Sequence, residues 1–280
     1  MRSGSGGPAA SAPEGSRIGR YGLRTIALAY LALILVLPVA MVFYRTFENG
    51  LRPVLQALTD PMTLHALYLT VLIAAVAVPL NTVFGVFCAL LLVRRAFPGK
   101  SFLSVLIDVP FAVSPVVVGL SLVLVYGRTG WLGGWLAENG IRFIFAWPSM
   151  VLATIFVSLP FVVREVVPVL QEVGVEQDQA AHTLGATPWQ TFWRVTLPAI
   201  RGGVTYGVVL TTARALGEFG AVSIVSGKIA GRTSTLTVHV EERFQQFDLV
   251  GAYTSSLVLA VIALVIVLGM TLLRPKEAGS

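Results

Sequence analysis

LYLTVLIAAVAVPLNTVFGVFCALLLV, residues 67–93, runs for 27 positions without a charged side chain. Coiled as a helix at about 1.5 Å per residue it reaches roughly 40 Å, more than the hydrocarbon core of a bilayer, about 30 Å thick, requires. Uncharged runs of similar kind occupy residues 26–44, 143–163 and 249–273. Two more runs qualify if they carry charge: 102–126 contains Asp108, and 202–224 contains Arg214 and Glu218. The expectation is therefore an all-α membrane protein with six transmembrane helices.

Composition agrees with lipid as the main solvent. Hydrophobic residues make up 55% of the 280 positions and charged residues only 12%, about half the share of a soluble domain. This excludes a disordered chain, a disulfide scaffold and an ordinary soluble globule. The net charge of +6 does not point to nucleic acid, because the basic residues are scattered in ones to threes between apolar runs and form no stripe. The single cysteine, Cys88, excludes a disulfide within the chain.

Six spans put both termini on one side, and the alternate segments differ in Lys and Arg. Twelve lie on the side of the termini (Arg2, Arg17, Arg20, Arg24, Arg94, Arg95, Lys100, Arg164, Arg194, Arg201, Arg274, Lys276) and seven on the other, so both termini are expected in the cytoplasm. The first apolar run follows three arginines but is too long for a signal-peptide core and lacks a clear cleavage site, so it reads as an uncleaved anchor. Residues 1–22 read as a disordered cytoplasmic tail, 23–273 as the permeating membrane domain, and 274–280 as a second cytoplasmic tail.

The longest cytoplasmic segment on this topology is 164–201. Within it Thr187, Pro188 and Gln190 form an N-cap, a proline at the first helical position and a capping-box glutamine. A short helix is expected from Pro188 to about Thr196, stopped near Pro198, with Gly185 capping the helix before it.

Groups that would make the chain an enzyme or a self-powered pump are missing. No phosphate-binding G-x-x-x-x-G-K-[ST] occurs: Gly99, Lys100 and Ser101 are in place, but position 94 is arginine. His65, His182 and His239 are far apart, and His239 with Glu241 lacks the cysteine pair of a zinc deaminase, so neither catalytic nor metal-binding residues are expected.

The segment Gln179-Ala180-Ala181-His182-Thr183-Leu184-Gly185, nine further residues, then Val195-Thr196-Leu197-Pro198 resembles the E-A-A-x-x-x-G…I-x-L-P loop of binding-protein-dependent ABC importer permeases. Gln179 stands where that motif has glutamate, and Val195 where it has isoleucine. The strings from Ala213 to Ala221 and from Pro110 to Val117 are similar to the sulfate and molybdate branch, above all its W-type sulfate/thiosulfate subunits. The resemblance, over residues 20–273, implies the MetI-like permease fold in a bacterial inner membrane. It makes the 176–198 loop the element that couples to an ATPase, through Gln179, Ala180, Ala181, Gly185, Leu197 and Pro198. It further implies a second, T-type permease, two ATPase subunits that hold ATP and Mg, and an extracytoplasmic sulfate-binding protein. No cofactor is implied in this chain.

Charge inside a membrane costs about 2.5 to 3.5 kcal/mol per residue on insertion scales, so each case needs a reason. Arg214 and Glu218, one turn apart, are expected to pair at depths of roughly 18 and 24 Å from the cytoplasmic end of their helix. Two readings stand: a step for an anion in the pathway, or a pair that fixes packing. Asp108 is expected to cap a broken helix, with Pro110, Pro115 and Gly119 marking the interruption, and Pro79 with Asn81 reads the same way. Residues 235–247 read either as an interfacial helix meeting the binding protein or as a connector. A molybdate or tungstate permease and a proton-coupled anion transporter acting alone are the competing functions; a non-transporting scaffold would leave the buried charges without a purpose.

Overall fold

A computed structural model describes residues 17–273; the two expected tails, apart from 17–22, lie outside the described residues. All described secondary structure is helical. The chain opens with α1 (Arg17–Leu31), a π turn (Ala32–Val36) and α2 (Leu37–Phe47), then α3 (Leu51–Thr59) and α4 (Pro61–Arg94). α5 (Lys100–Ala112) and α6 (Pro115–Tyr126) follow, then α7 (Gly133–Glu138), α8 (Trp147–Val173), α9 (Glu176–Thr183) and α10 (Pro188–Thr191). A second π turn (Phe192–Thr196) leads into α11 (Leu197–Leu216), and α12 (Gly220–Val225), α13 (Leu236–Gln245) and α14 (Leu249–Leu273) complete the order.

Among the described residues four helices are long and apolar enough to cross a membrane: Arg24–Phe47, Pro61–Arg94, Trp147–Val173 and Leu249–Ile266. α5 and α6 meet the same test together but are bent by 108°, giving five if the pair is one span. The 102–126 run is thus interrupted as expected, and the break falls immediately before Pro115. Pro115 forces the preceding residues out of the helical region, and Val113 and Ser114 are extended with ψ of 132° and 133°. The 202–224 run is also divided, since α11 ends at Leu216 and α12 starts at Gly220.

Other expectations are corrected in the opposite direction. Pro79 does not interrupt α4, which runs unbroken for 34 residues. Instead Asn81, fully buried, donates to the Ile155 carbonyl and to Ser158 Oγ, tying α4 to α8. α8 continues through Arg164 to Val173, so the loop spans 174–196 rather than 164–201. Nor does Pro198 stop the short helix before it. The π turn lets the Leu197 N–H reach the Phe192 carbonyl one residue further back, and the chain passes through Pro198 into α11 without a break. The same device precedes Leu37-Pro38 in the first span.

The core is the α4, α8 and α11 bundle, and small residues set its spacing. A Cβ on Gly85 of α4 would lie 2.7 Å from Val162 Cβ, and one on Gly207 of α11 would lie 3.0 Å from Val162 Cα, so two glycines admit one α8 valine. At the bends, α6 packs on α12, and a Cβ on Gly119 would stand 2.7 Å from the Ala221 carbonyl. Backbone cannot yield as a side-chain end can. Gly119→Ala is therefore expected to part α6 from α12 and lower the thermal midpoint of the purified protein by several degrees, about 1–3 kcal/mol of overpacking; an unchanged midpoint counts against this contact.

Candidate functional site

The loop joining α8 to α11 is a capped helical hairpin. α9 ends in a Schellman motif: the N–H of Gly185, which sits at φ +86°, donates to the His182 carbonyl, and Ala186 N–H donates to the Ala181 carbonyl. Thr187 Oγ1 accepts from Gln190 N–H at 3.3 Å while Gln190 Oε1 accepts from Thr187 N–H at 2.9 Å, completing the capping box. Leu184, at the end of α9, stands 88% exposed, and the rings of Trp189 and Trp193 beyond the second cap are exposed as well. The hairpin therefore carries apolar side chains that the rest of the described chain leaves largely bare.

Of the motif residues, Gln179, Ala180 and Gly185 lie on the exposed side, whereas Leu197 packs against the core beneath. The carboxylate missing at 179 is present one residue earlier and faces the bundle. Asp178 Oδ2 is 3.0 Å from Arg94 Nη2, and its Oδ1 accepts from Thr196 Oγ1 at 3.0 Å. Arg94, the last residue of α4, also donates through Nη1 to the Gly174 carbonyl. Arg94 counted in the sequence only as a mark of topology. The signal that singles it out is an arginine closing the longest apolar run, matched by an aspartate beside a motif that lacks its glutamate.

Arg214 and Glu218 pair as expected, Nη2 to Oε2 at 2.7 Å. Their setting differs from a helix interior. Arg214 is in the last turn of α11, while Glu218 lies in the break, its side chain 1% exposed against 32% for Arg214. Glu218 Oε1 accepts from Ala221 N–H at 2.8 Å, and its backbone carbonyl accepts from Thr237 Oγ1 at 2.9 Å. One buried carboxylate thus ends α11, starts α12 and neutralises the arginine.

Asp108 is not a cap. It sits inside α5, and Arg164 of α8 grips it with both arms, Nε to Oδ1 at 2.9 Å and Nη2 to Oδ2 at 2.8 Å, while the guanidinium lies over the Phe111 ring at 5.9 Å. Pro110 sits near the end of α5, and Pro115 opens α6. These residues are remote in sequence but brace the bent pair against α8.

At the other end of α4, α13 packs against α4 and α14 instead of lying free, with Leu236, Val238 and His239 buried. His239 Nε2 lies 3.1 Å from Thr63 Oγ1 and accepts from Arg243 Nε at 3.4 Å, so its own proton sits on Nδ1. Arg243 in turn reaches Asp60 and Asp248. Burial, and then the Arg243 charge, hold this imidazole below its ordinary range against the opposing pull of Asp60 and Asp248. The unfolded chain then takes up the proton first, so stability is lost as pH falls below about 6.5. The thermal midpoint should drop between pH 7 and 5.5, and His239→Gln should drop less; equal slopes would contradict this.

Residues 81–277 match the family described as binding-protein-dependent transport system inner membrane component. The sulfate transport system permease protein CysW of a Synechocystis species is 55% identical over 247 residues, 88% of this chain and 89% of that protein. CysW of Escherichia coli K12 is 52% identical over 88% of this chain and 85% of its own length. The sulfate transport system permease protein CysT of the same bacterium is 37% identical over 89% of this chain and 90% of its own length. Among solved structures, a bacterial alginate ABC transporter in complex with its pentasaccharide-bound periplasmic protein matches with a TM-score of 0.75 and 18% identity, covering 93% of this chain and 96% of that one, a likeness of fold. Since the family match takes in both bent helices and the whole projecting hairpin, the chain belongs to the family of inner membrane components of binding-protein-dependent transport systems.

Proposed function

We propose that this chain is the W-type permease subunit of an ATP-driven sulfate/thiosulfate importer, lining half of the translocation pathway. It is a transporter subunit and not an enzyme, set in the inner membrane. The observation that carries the substrate is the 52–55% identity, over 88% of this chain, to sulfate transport permeases, and the contrast within one bacterium, 52% to the W-type against 37% to the T-type, supports the W-type assignment. That contrast supports a distinct T-type chain as the second permease. Two ATPase subunits, which hold ATP and Mg, and a sulfate-binding protein outside the membrane complete the assembly.

On this reading α11 with α12 is the fifth of six crossings, and the bias of Lys and Arg favours both termini and the hairpin in the cytoplasm. Leu184, Trp189 and Trp193 then form the tip that enters the ATPase, with Gln179, Ala180, Ala181 and Gly185 as its small, close-packing wall. Leu197 and Pro198 tie the hairpin to α11. The Arg214–Glu218 pair serves chiefly to hold α11 to α12. Energetics favour an external motor: bringing a dianion in against about 150 mV costs about 7 kcal/mol before any gradient.

Reconstitution tests it. Vesicles containing both permeases and the ATPase should accumulate labelled sulfate only with ATP and the binding protein. Accumulation by this chain alone, driven by a proton gradient, would replace the proposal with a secondary transporter.

A further inference from the structure

α9 buries no side chain, and most of its packing is on its own hairpin, on α10 and the second π turn. A helix so lightly seated transmits motion through its fixed points. Gly174, with φ +72° and ψ −164°, is the joint between α8 and α9. Arg94 spans that joint: one arm holds the Gly174 carbonyl before it and the other the Asp178 carboxylate in the first turn of α9. The second oxygen of Asp178 holds Thr196, in the π turn from which α11 starts. The ion pair is sheltered, its side chains 14% and 20% exposed, so water screens it little. Beside it lies an open groove of about 290 Å³ bounded by Leu91, Arg94, Asp178, His182, Phe192 and Thr196.

We propose that Arg94 is a positioning residue for transport: the chain Arg94–Asp178–Thr196 passes displacement of the docking helix to the end of α4 and the start of α11 together. The guanidinium matters because it donates to the Gly174 carbonyl while its charge stands 3.0 Å from the Asp178 carboxylate, two partners that the single compact charge of a lysine ammonium does not serve in the same fixed geometry. A push on α9 therefore drags α4 and α11 as one unit instead of turning idly about Gly174. This rests on the coupling role of the hairpin, and the two can fail separately.

The test uses the whole complex in vesicles with its binding protein. Arg94→Gln should leave the ATPase subunits bound and basal ATP hydrolysis unchanged, while sulfate uptake per ATP falls about tenfold, the size of an ordinary coupling energy. Arg94→Lys should recover part of that loss. Arg94→Gln combined with Asp178→Asn should be no worse than the poorer single variant, since both cut one link. Unchanged uptake per ATP, additive losses, or release of the ATPase from the Arg94→Gln complex would each overturn the proposal. Failure of the coupling role itself appears elsewhere, as normal uptake when Leu184 and Trp189 are both replaced by aspartate.

Discussion

Gly185→Val is expected to lower ATP-driven uptake about tenfold while the complex remains inserted and the chain accumulates normally. Nothing lies within 4 Å of the place a Cβ would occupy, so the effect is not crowding inside this chain. It arises from the backbone: φ is +86°, which a β-branched residue adopts only at a cost of about 1–2 kcal/mol. The hairpin relieves that strain by releasing the Gly185 and Ala186 hydrogen bonds to α9, and Leu184 leaves its place at the tip. Gly185→Asn should retain most uptake, because asparagine tolerates the left-handed region. Labelled-anion uptake in cells, with membrane abundance measured alongside, decides it; equal loss in both variants would contradict the conformational account.

The second large effect is at the ion pair, and it should be asymmetric. Arg214→Ala leaves a carboxylate that is 1% exposed with only the Ala221 N–H beside it, and removal of one member of a buried pair costs about 3–5 kcal/mol. Glu218→Gln keeps an oxygen for Ala221 and leaves an arginine that is already 32% exposed, so it should cost less. Replacing both with glutamine should be milder than Arg214→Ala alone. Reversing both charges should not restore the protein, because arginine at 218 has no acceptor for the Ala221 N–H. Thermal unfolding and abundance give the ranking. Uptake by the double-glutamine variant at normal abundance then separates the roles, since retained transport fits a structural pair and lost transport places Arg214 in the anion's path.

Apolar runs made the long helices legible: the 249–273 run coincides with α14, and 67–93 lies within α4. The capping box at Thr187 was legible because its partners are three residues apart. The 108° bend was not, since prolines mark where a helix is weakened and only packing against α12 determines how far it turns. Likewise α4 absorbs Pro79, which is exposed, while Asn81 two residues on ties α4 to α8. Ion pairs joining residues 56 or more positions apart, Asp108 with Arg164 and Arg94 with Asp178, leave no local pattern. In the sequence Arg94 and Arg164 counted only as topological charges and Asp108 only as a cap. The motif's missing glutamate was the most informative departure, for the carboxylate that seats the helix is at 178 and points inward.

The central claim is that this chain is half of the sulfate pathway. Uptake of labelled sulfate in cells deleted for this chain, with and without molybdate as competitor, tests it most directly. The account predicts that sulfate uptake collapses on deletion, returns when the chain is restored, and in restored cells is little reduced by molybdate. Unchanged sulfate uptake after deletion, or loss confined to molybdate, would contradict it.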